Sequence, residues 1–305
     1  MDSIKKALLE KIADLHEVPE GAYNIRANGK ADGRRTTANI DIVSKTDKQG
    51  IDIIIKENTK NESVHIPVII SESGLSDLVY NDFYVGDGAD VTIIAGCGIH
   101  NCGDQESRHD GIHTFHIGKG AKVRYVERHY GEEDGIGENV MNPTTIIEID
   151  EGGYMEMETT QIKGIDSTVR ITNATLAEKA TLVVKEKIMT HGKQFAETEF
   201  TVDLNGDGAS ANVISRSVAK DSSRQKFISK INGNSECYGH TECDAIIMDD
   251  ASVCAIPEIT ANDINASLIH EAAIGKIAGE QLTKLMTLGL TEKEAEEQIV
   301  NGFLK

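Results

Sequence analysis

The residues of this chain best suited to sulfur chemistry or soft-metal binding are Cys243, Cys237, Cys97 and Cys102, four of its five cysteines. A cysteine attacks or ligates as the thiolate, and thiolate sulfur selects soft or borderline metals. Cys97 and Cys102 lie in the glycine-rich stretch Gly96-Cys97-Gly98-Ile99-His100-Asn101-Cys102-Gly103-Asp104, with His109 and His113 downstream. The stretch reads as a loop able to wrap an ion. Ligation, a zinc site without the usual Cys-x-x-Cys spacing, and plain structure all stay open there. Cys237 precedes Cys243 by six residues, and a chain reversal at Tyr238-Gly239-His240 would bring both thiols to one site. A free cysteine is most often a small buried hydrophobe. That reading competes at Cys243, and it is favoured for Cys254, which strand alternation turns inward. His270-Glu271 adds an imidazole beside a carboxylate. Read on a helix, the two point about 100° apart, so one of them faces a site.

The elements that must position these groups change along the chain. Residues 3–17 place Ile4, Leu8, Ile12 and Leu15 on one helical face, and Val18-Pro19-Glu20-Gly21 ends that helix. From residue 22 to 262 the period becomes that of strands, as in Asn39-Ile40-Asp41-Ile42-Val43. A unit recurs about every 30 residues: strand, polar turn, small residue, strand. Examples are Phe83-Tyr84-Val85 before Gly86-Asp87-Gly88-Ala89, and Thr201-Val202-Asp203-Leu204 before Asn205-Gly206-Asp207-Gly208-Ala209. One unit cannot bury its apolar face alone, whereas stacked units can. The pattern predicts a mainly β protein, a parallel β-helix, with a β-sandwich of hairpins as the alternative. Residues 263–305 read as a helical hairpin: apolar positions over 266–288, Gly289 as a cap, and the capping box Thr291-Glu292-Lys293-Glu294. The chain thus divides into residues 1–21, 22–262 and 263–305.

A formal net charge of −19 argues against nucleic acid. It equally disfavours polyanionic sugars as substrates of a β-helix hydrolase. No stretch approaches the roughly 18 apolar residues of a membrane span. The start, Met1-Asp2-Ser3-Ile4-Lys5-Lys6, lacks the apolar core of a signal peptide. The expectation is a cytoplasmic protein with reduced thiols. Neither a phosphate-binding Gly-x-x-x-x-Gly-Lys-Ser/Thr loop nor a Gly-x-Ser-x-Gly elbow is present, so no ATPase or serine-hydrolase activity is assigned to the chain itself.

The ordered series Thr241-Glu242-Cys243-Asp244, Ala255-Ile256-Pro257, His270-Glu271-Ala272, Ile277-Ala278-Gly279-Glu280-Gln281-Leu282 and Ile299-Val300-Asn301-Gly302-Phe303 resembles the C-terminal core of the SufB/SufD family of iron–sulfur cluster assembly scaffolds. The resemblance spans residues 22 to 305, and the Cys97–Cys102 stretch looks like the short form of the family. It implies a right-handed β-helix with helical ends. It implies that Cys243 accepts sulfur or ligates a nascent cluster, [2Fe–2S] or [4Fe–4S], and that Glu271 accepts iron or completes the ligand set. Cys97, Cys102 and Cys237 are further candidates, with His270 and His100 as additional ligands. Cluster iron is usually held by four thiolates, and a weaker oxygen or nitrogen ligand eases release. The coiling is expected to bring these thiols within reach of shared iron. Further implications are docking of the C-terminal helices onto a SufC-type ABC ATPase, and pairing as a homodimer or with a paralogue. A SufD-like partner that holds no cluster is the alternative. Compared with the larger members, the chain lacks a long N-terminal extension and stops at Lys305; Lys284 and Leu288 stand where those often place tyrosine and arginine, which leaves the ATPase contact open.

Overall fold

The alternation of apolar and polar residues is realised as a two-sided parallel β-helix. A computed structural model describes residues 3–15, 19–132 and 134–305; Met1, Asp2 and residues 16–18, which include the expected helix end at Val18, lie outside the described residues. Among the described residues, strands from Gly50–Ile55 onward alternate between two sheets of ten strands each, with Asn139–Met141 and Thr144–Ile149 as two pieces at one position. Each circuit returns the chain beside itself: 32 residues separate the neighbours Asn81 and His113, and 29 separate Glu186 and Ser215. The expected polar turns form the corners. Gly88, Gly120, Gly152, Lys179 and Gly208 take φ between 56° and 73°, and the residue after each reverses the chain into the core. Ala89, Ala121, Ala180 and Ala209 are the small residues that fit there, all essentially buried.

Stacked apolar residues fill the interior, among them Phe83, Phe115, Tyr125, Met157 and Phe200. The Phe83 and Phe115 rings stack at 4.3 Å between centroids. The N-terminal end is closed. The strands Ala22–Ala27 and Lys30–Arg35 pair antiparallel, as do Ile40–Ser44 and Gly50–Ile55. Helix α1 (Ser3–Ala13) lies on the outer face, with Leu8 and Ile12 against Gly98 and Gly96. The helix stops because Asp14 takes φ 52° while its N–H still bonds the Glu10 carbonyl.

The C-terminal end is open. The strands Ser252–Ala261 and Ser267–Gly275 are the last of their sheets, and none of their residues is fully buried. This corrects the helix read over 266–288. Helical spacing of Ile269, Ala273 and Ile277 coincided with alternation of Leu268, His270 and Ala272, and the free edge of Tyr238–Ile247 captured the segment as a strand. Helix begins only with α2 (Gly279–Thr287), followed by α3 (Glu292–Phe303). The capping box at the start of α3 forms as expected, the Thr291 hydroxyl accepting from the Glu294 N–H and the Glu294 carboxylate from the Thr291 N–H. Val300 and Leu304 pack α3 against Val218. Among the described residues no helix is long and apolar enough to cross a membrane.

Candidate metal centre

Two neighbouring strands, Tyr238–Ile247 and Ser267–Gly275, carry most of the candidate chemistry. Alternation divides it between the two faces of one sheet. Thr241 and Cys243 face the lumen together with their partners His270 and Ala272, while His240, Glu242 and Glu271 face outward. The strand turns His270 and Glu271 to opposite sides, a full reversal where a helix gives about 100°.

On the outer face, one ligand atom each from His240, Glu242 and Glu271 lies within 4.8 Å of the others. His240 Nε2 stands 3.7 Å from Glu271 Oε2. His240 Nδ1 is 2.9 Å from Asn212 Oδ1. A side-chain amide oxygen only accepts, so the proton sits on Nδ1 and Nε2 presents its lone pair. Burial and the neighbouring Asp244 hold the Glu242 carboxyl above its usual range. One imidazole and two carboxylates suit Fe²⁺, Mn²⁺ or Zn²⁺.

On the lumen face Cys243 is 1% exposed. Burial, reinforced by Glu186 and Asp244, pushes its thiol up to about 12, so it is protonated at neutral pH. Its neighbour on the next strand toward the open end is Ala272, small and exposed. His270 Nδ1 lies 2.6 Å from the Thr241 hydroxyl, and burial, then His240, lowers its pKa.

The other candidates lie apart. Cys237 occupies the buried corner before Tyr238. The strand that follows does not reverse, so the six-residue step to Cys243 spans about 20 Å of extended chain. Cys97 is not in a loop. It sits inside the strand Asp90–His100, 2% exposed, its thiol driven up by burial and then by Asp77 and Glu127. In the order of its sheet it stands five strands from Cys243, roughly 24 Å at 4.8 Å per strand. Cys102 is exposed in the connection after that strand. His100 Nδ1 is 3.9 Å from Asp134 Oδ2. Cys254 also departs from expectation: it is exposed, on the outer face of the opposite sheet. Within one chain, therefore, the coiling gathers Cys243, His270, Glu271, His240 and Glu242, and leaves Cys97, Cys102 and Cys237 elsewhere.

The family model described as SUF system FeS cluster assembly, SufBD core domain, matches residues 73–303. The chain belongs to the SufBD family. Its relatives include the iron-sulfur cluster assembly SufBD family protein of Methanocaldococcus jannaschii, 31% identical over 83% of this chain and 79% of that protein. The protein of that name from Methanothermobacter thermautotrophicus is 30% identical over 78% of this chain and 57% of its own length. The one from Archaeoglobus fulgidus is 29% identical over 74% and 60%. The chain thus spans less than two thirds of the latter two.

Sequence reasoning missed His240 and Glu242 as partners of Glu271. Their signal was the two-residue step on a strand, with Glu271 one circuit further on. It also missed the charged interior of this SufBD chain. Glu127, Thr159, Glu186, Ser215 and Cys243 form one inward ladder across successive strands. Arg170, buried on the opposite sheet, bonds Glu127 and lies 3.8 Å from Glu186. Glu186 accepts from the Ser215 and Thr198 hydroxyls at 2.7 and 3.0 Å, and burial raises its pKa. The Arg170 guanidinium, with His129, overcomes the effect of burial at Glu127 and holds it well below the carboxylate range.

Proposed function

We propose that this chain is an iron–sulfur cluster assembly scaffold whose working site is the open C-terminal end of the β-helix. The observation that carries the reading is the convergence of His240, Glu242 and Glu271 on a strand pair that also holds Cys243. Iron lands on the outer imidazole and carboxylates; sulfur and the nascent [2Fe–2S] or [4Fe–4S] cluster engage Cys243, with His270 as an additional ligand. Clusters are cargo here, built and passed on.

A sealed thiol must be uncovered before it reacts, which calls for work from outside the chain. Helix α2 supports a docked SufC-type ABC ATPase as its source: none of its residues is buried, and Met286 is 43% exposed. The unpaired outer edges of the last strands at the open end support a second copy or a paralogue as the neighbour, since Ile259 and Ile274 remain about half-exposed there. Five free cysteines suit a reducing, cytoplasmic setting.

Anaerobic reconstitution of the full chain with ferrous iron and sulfide tests the reading. Sulfur-to-iron charge-transfer absorption should develop in the wild type and fall in Cys243→Ser and in Glu271→Gln. The burial of Cys97, Cys237 and Cys243, and their separation, favour a second reading, a SufD-like subunit that supports assembly without holding a cluster. Undiminished cluster transfer by a chain lacking all five thiols would decide for that subunit.

A further inference from the structure

Far from the open end, the lumen contains a second group of ligating side chains. His109, Gly111 and His113 face inward from one strand, Ser107–Ile117. Gly111 has no side chain, and both imidazoles lean into the space it leaves: His109 Nε2 and His113 Nε2 stand 3.4 and 3.3 Å from the point a Cβ would occupy. Both rings are 7% exposed. Beside them is a void of about 10 Å³, room for one water or one small ion. Cys97 lines it from the facing sheet, with His129 and Glu127.

The hydrogen bonding places a lone pair on each Nε2, and that of His113 is engaged in one long bond, from the Asn81 amide, which a bound cation would displace. His113 Nδ1 is 2.8 Å from the Tyr125 hydroxyl, which itself donates to Glu127 at 2.9 Å. The tyrosine oxygen therefore accepts, and the His113 proton is on Nδ1. His113 Nε2 accepts from the Asn81 amide at 3.3 Å. His109 Nδ1 faces the buried carboxylate of Asp77 at 3.3 Å, which sets the same tautomer. A carboxylate stands behind each ring, for His109 in direct contact but without an aligned hydrogen bond and for His113 through Tyr125; a carboxylate in that position orients metal-ligating histidines. His129 is different: its nitrogens face Glu127 and Arg170, and it is not free to ligate.

We propose that His109 Nε2, His113 Nε2 and Cys97 Sγ form an internal site for one late first-row divalent cation. Two imidazoles and a thiolate suit zinc, cobalt or ferrous iron. The three groups do not converge as tightly as the outer His240–Glu242–Glu271 group, so binding draws the rings together. The His109–Asp77 contact has no well-aligned hydrogen bond to resist this. Ligation displaces the Cys97 proton to solvent. Beside the void, Pro143 neighbours Gly111 and interrupts the strand between Asn139–Met141 and Thr144–Ile149. This site stands independently of the assembly reading.

The test is Co²⁺ titration of the reduced, metal-free full chain, followed by near-ultraviolet thiolate-to-cobalt absorption and by competition with Zn²⁺. One equivalent should bind with thiolate character. Cys97→Ser should abolish that absorption, and His109→Asn should weaken binding at least roughly 10-fold, as should Gly111→Ala, which fills the space between the rings. Glu271→Gln should leave the signal intact. Wild-type chain that shows no thiolate absorption with Co²⁺ overturns the proposal, since the void then holds water only. A signal that survives Cys97→Ser, or disappears in Glu271→Gln, overturns it equally. Circular dichroism of each variant confirms that the solenoid has folded.

Discussion

His240 and Glu271 come from consecutive circuits of the solenoid, yet His240 Nε2 lies 3.7 Å from Glu271 Oε2. The pair exists only because each circuit returns the chain in register, and both side chains stand at the accessible end. His240→Ala and Glu271→Gln should each reduce Fe²⁺ affinity at least tenfold, about 1.4 kcal/mol. Thermal stability should barely change in Glu271→Gln, because Glu271 is exposed. Isothermal titration under anaerobic conditions measures this.

The same group predicts a pH dependence. The Glu242 carboxyl titrates above its usual 4.5, and a protonated carboxyl does not ligate. Metal affinity should therefore begin to fall, as acid is added, at a higher pH than for an ordinary glutamate. Glu242→Gln should lower affinity and flatten that part of the profile. An unchanged profile would remove Glu242 from the site.

Thiol reactivity should separate by burial. At pH 8 iodoacetamide should modify Cys102 and Cys254 in the native chain and spare Cys97, Cys237 and Cys243. Cys243, with its thiol near 12, has almost no thiolate to offer. Mass spectrometry should find all five labelled only after denaturation. If partner and nucleotide uncover the site, Cys243 should gain label selectively in their presence.

The buried ion pair carries a stability prediction. Arg170→Ala leaves Glu127 charged in the lumen without its counter-ion and should cost about 3–5 kcal/mol. In the intact pair the folded-state pKa of Glu127 is depressed. Its contribution is thus present above the unfolded value of 4.5 and is lost as pH falls below it. Arg170→Ala should show a smaller loss as pH is lowered below 4.5 toward the depressed folded-state pKa, readable in urea midpoints.

The open end predicts association. Ile259→Asp and Ile274→Asp place charge where a neighbouring copy or paralogue would pack. Both should lower the sedimentation-derived mass of any assembly without unfolding the chain. A wild-type chain that stays monomeric, alone and with paralogue, would argue against pairing there.

The repeat was legible because its corners are covalent: a left-handed residue and a small one, as at Gly88-Ala89 and Gly208-Ala209, leave a mark in any single sequence. The family motifs pointed to Cys243 and Glu271. Ser267–Gly275 was misread because its apolar residues satisfy both helical and strand spacing, and only the neighbouring edge decides. Cys97 was placed in a loop because flanking glycines suggest flexibility; here Gly96 and Gly98 are small to admit Ile12 and Leu8 of α1. The lumen charges left no signal, since nothing local distinguishes a buried Glu127 from a solvated one.

One end of the solenoid is finished by antiparallel hairpins; the other stops on the edges of the parallel strands Ser252–Ala261 and Ser267–Gly275. Bare edges ordinarily invite unlimited fibre growth. Were copies to stack through the open end alone, head-to-head pairing would exhaust itself at two.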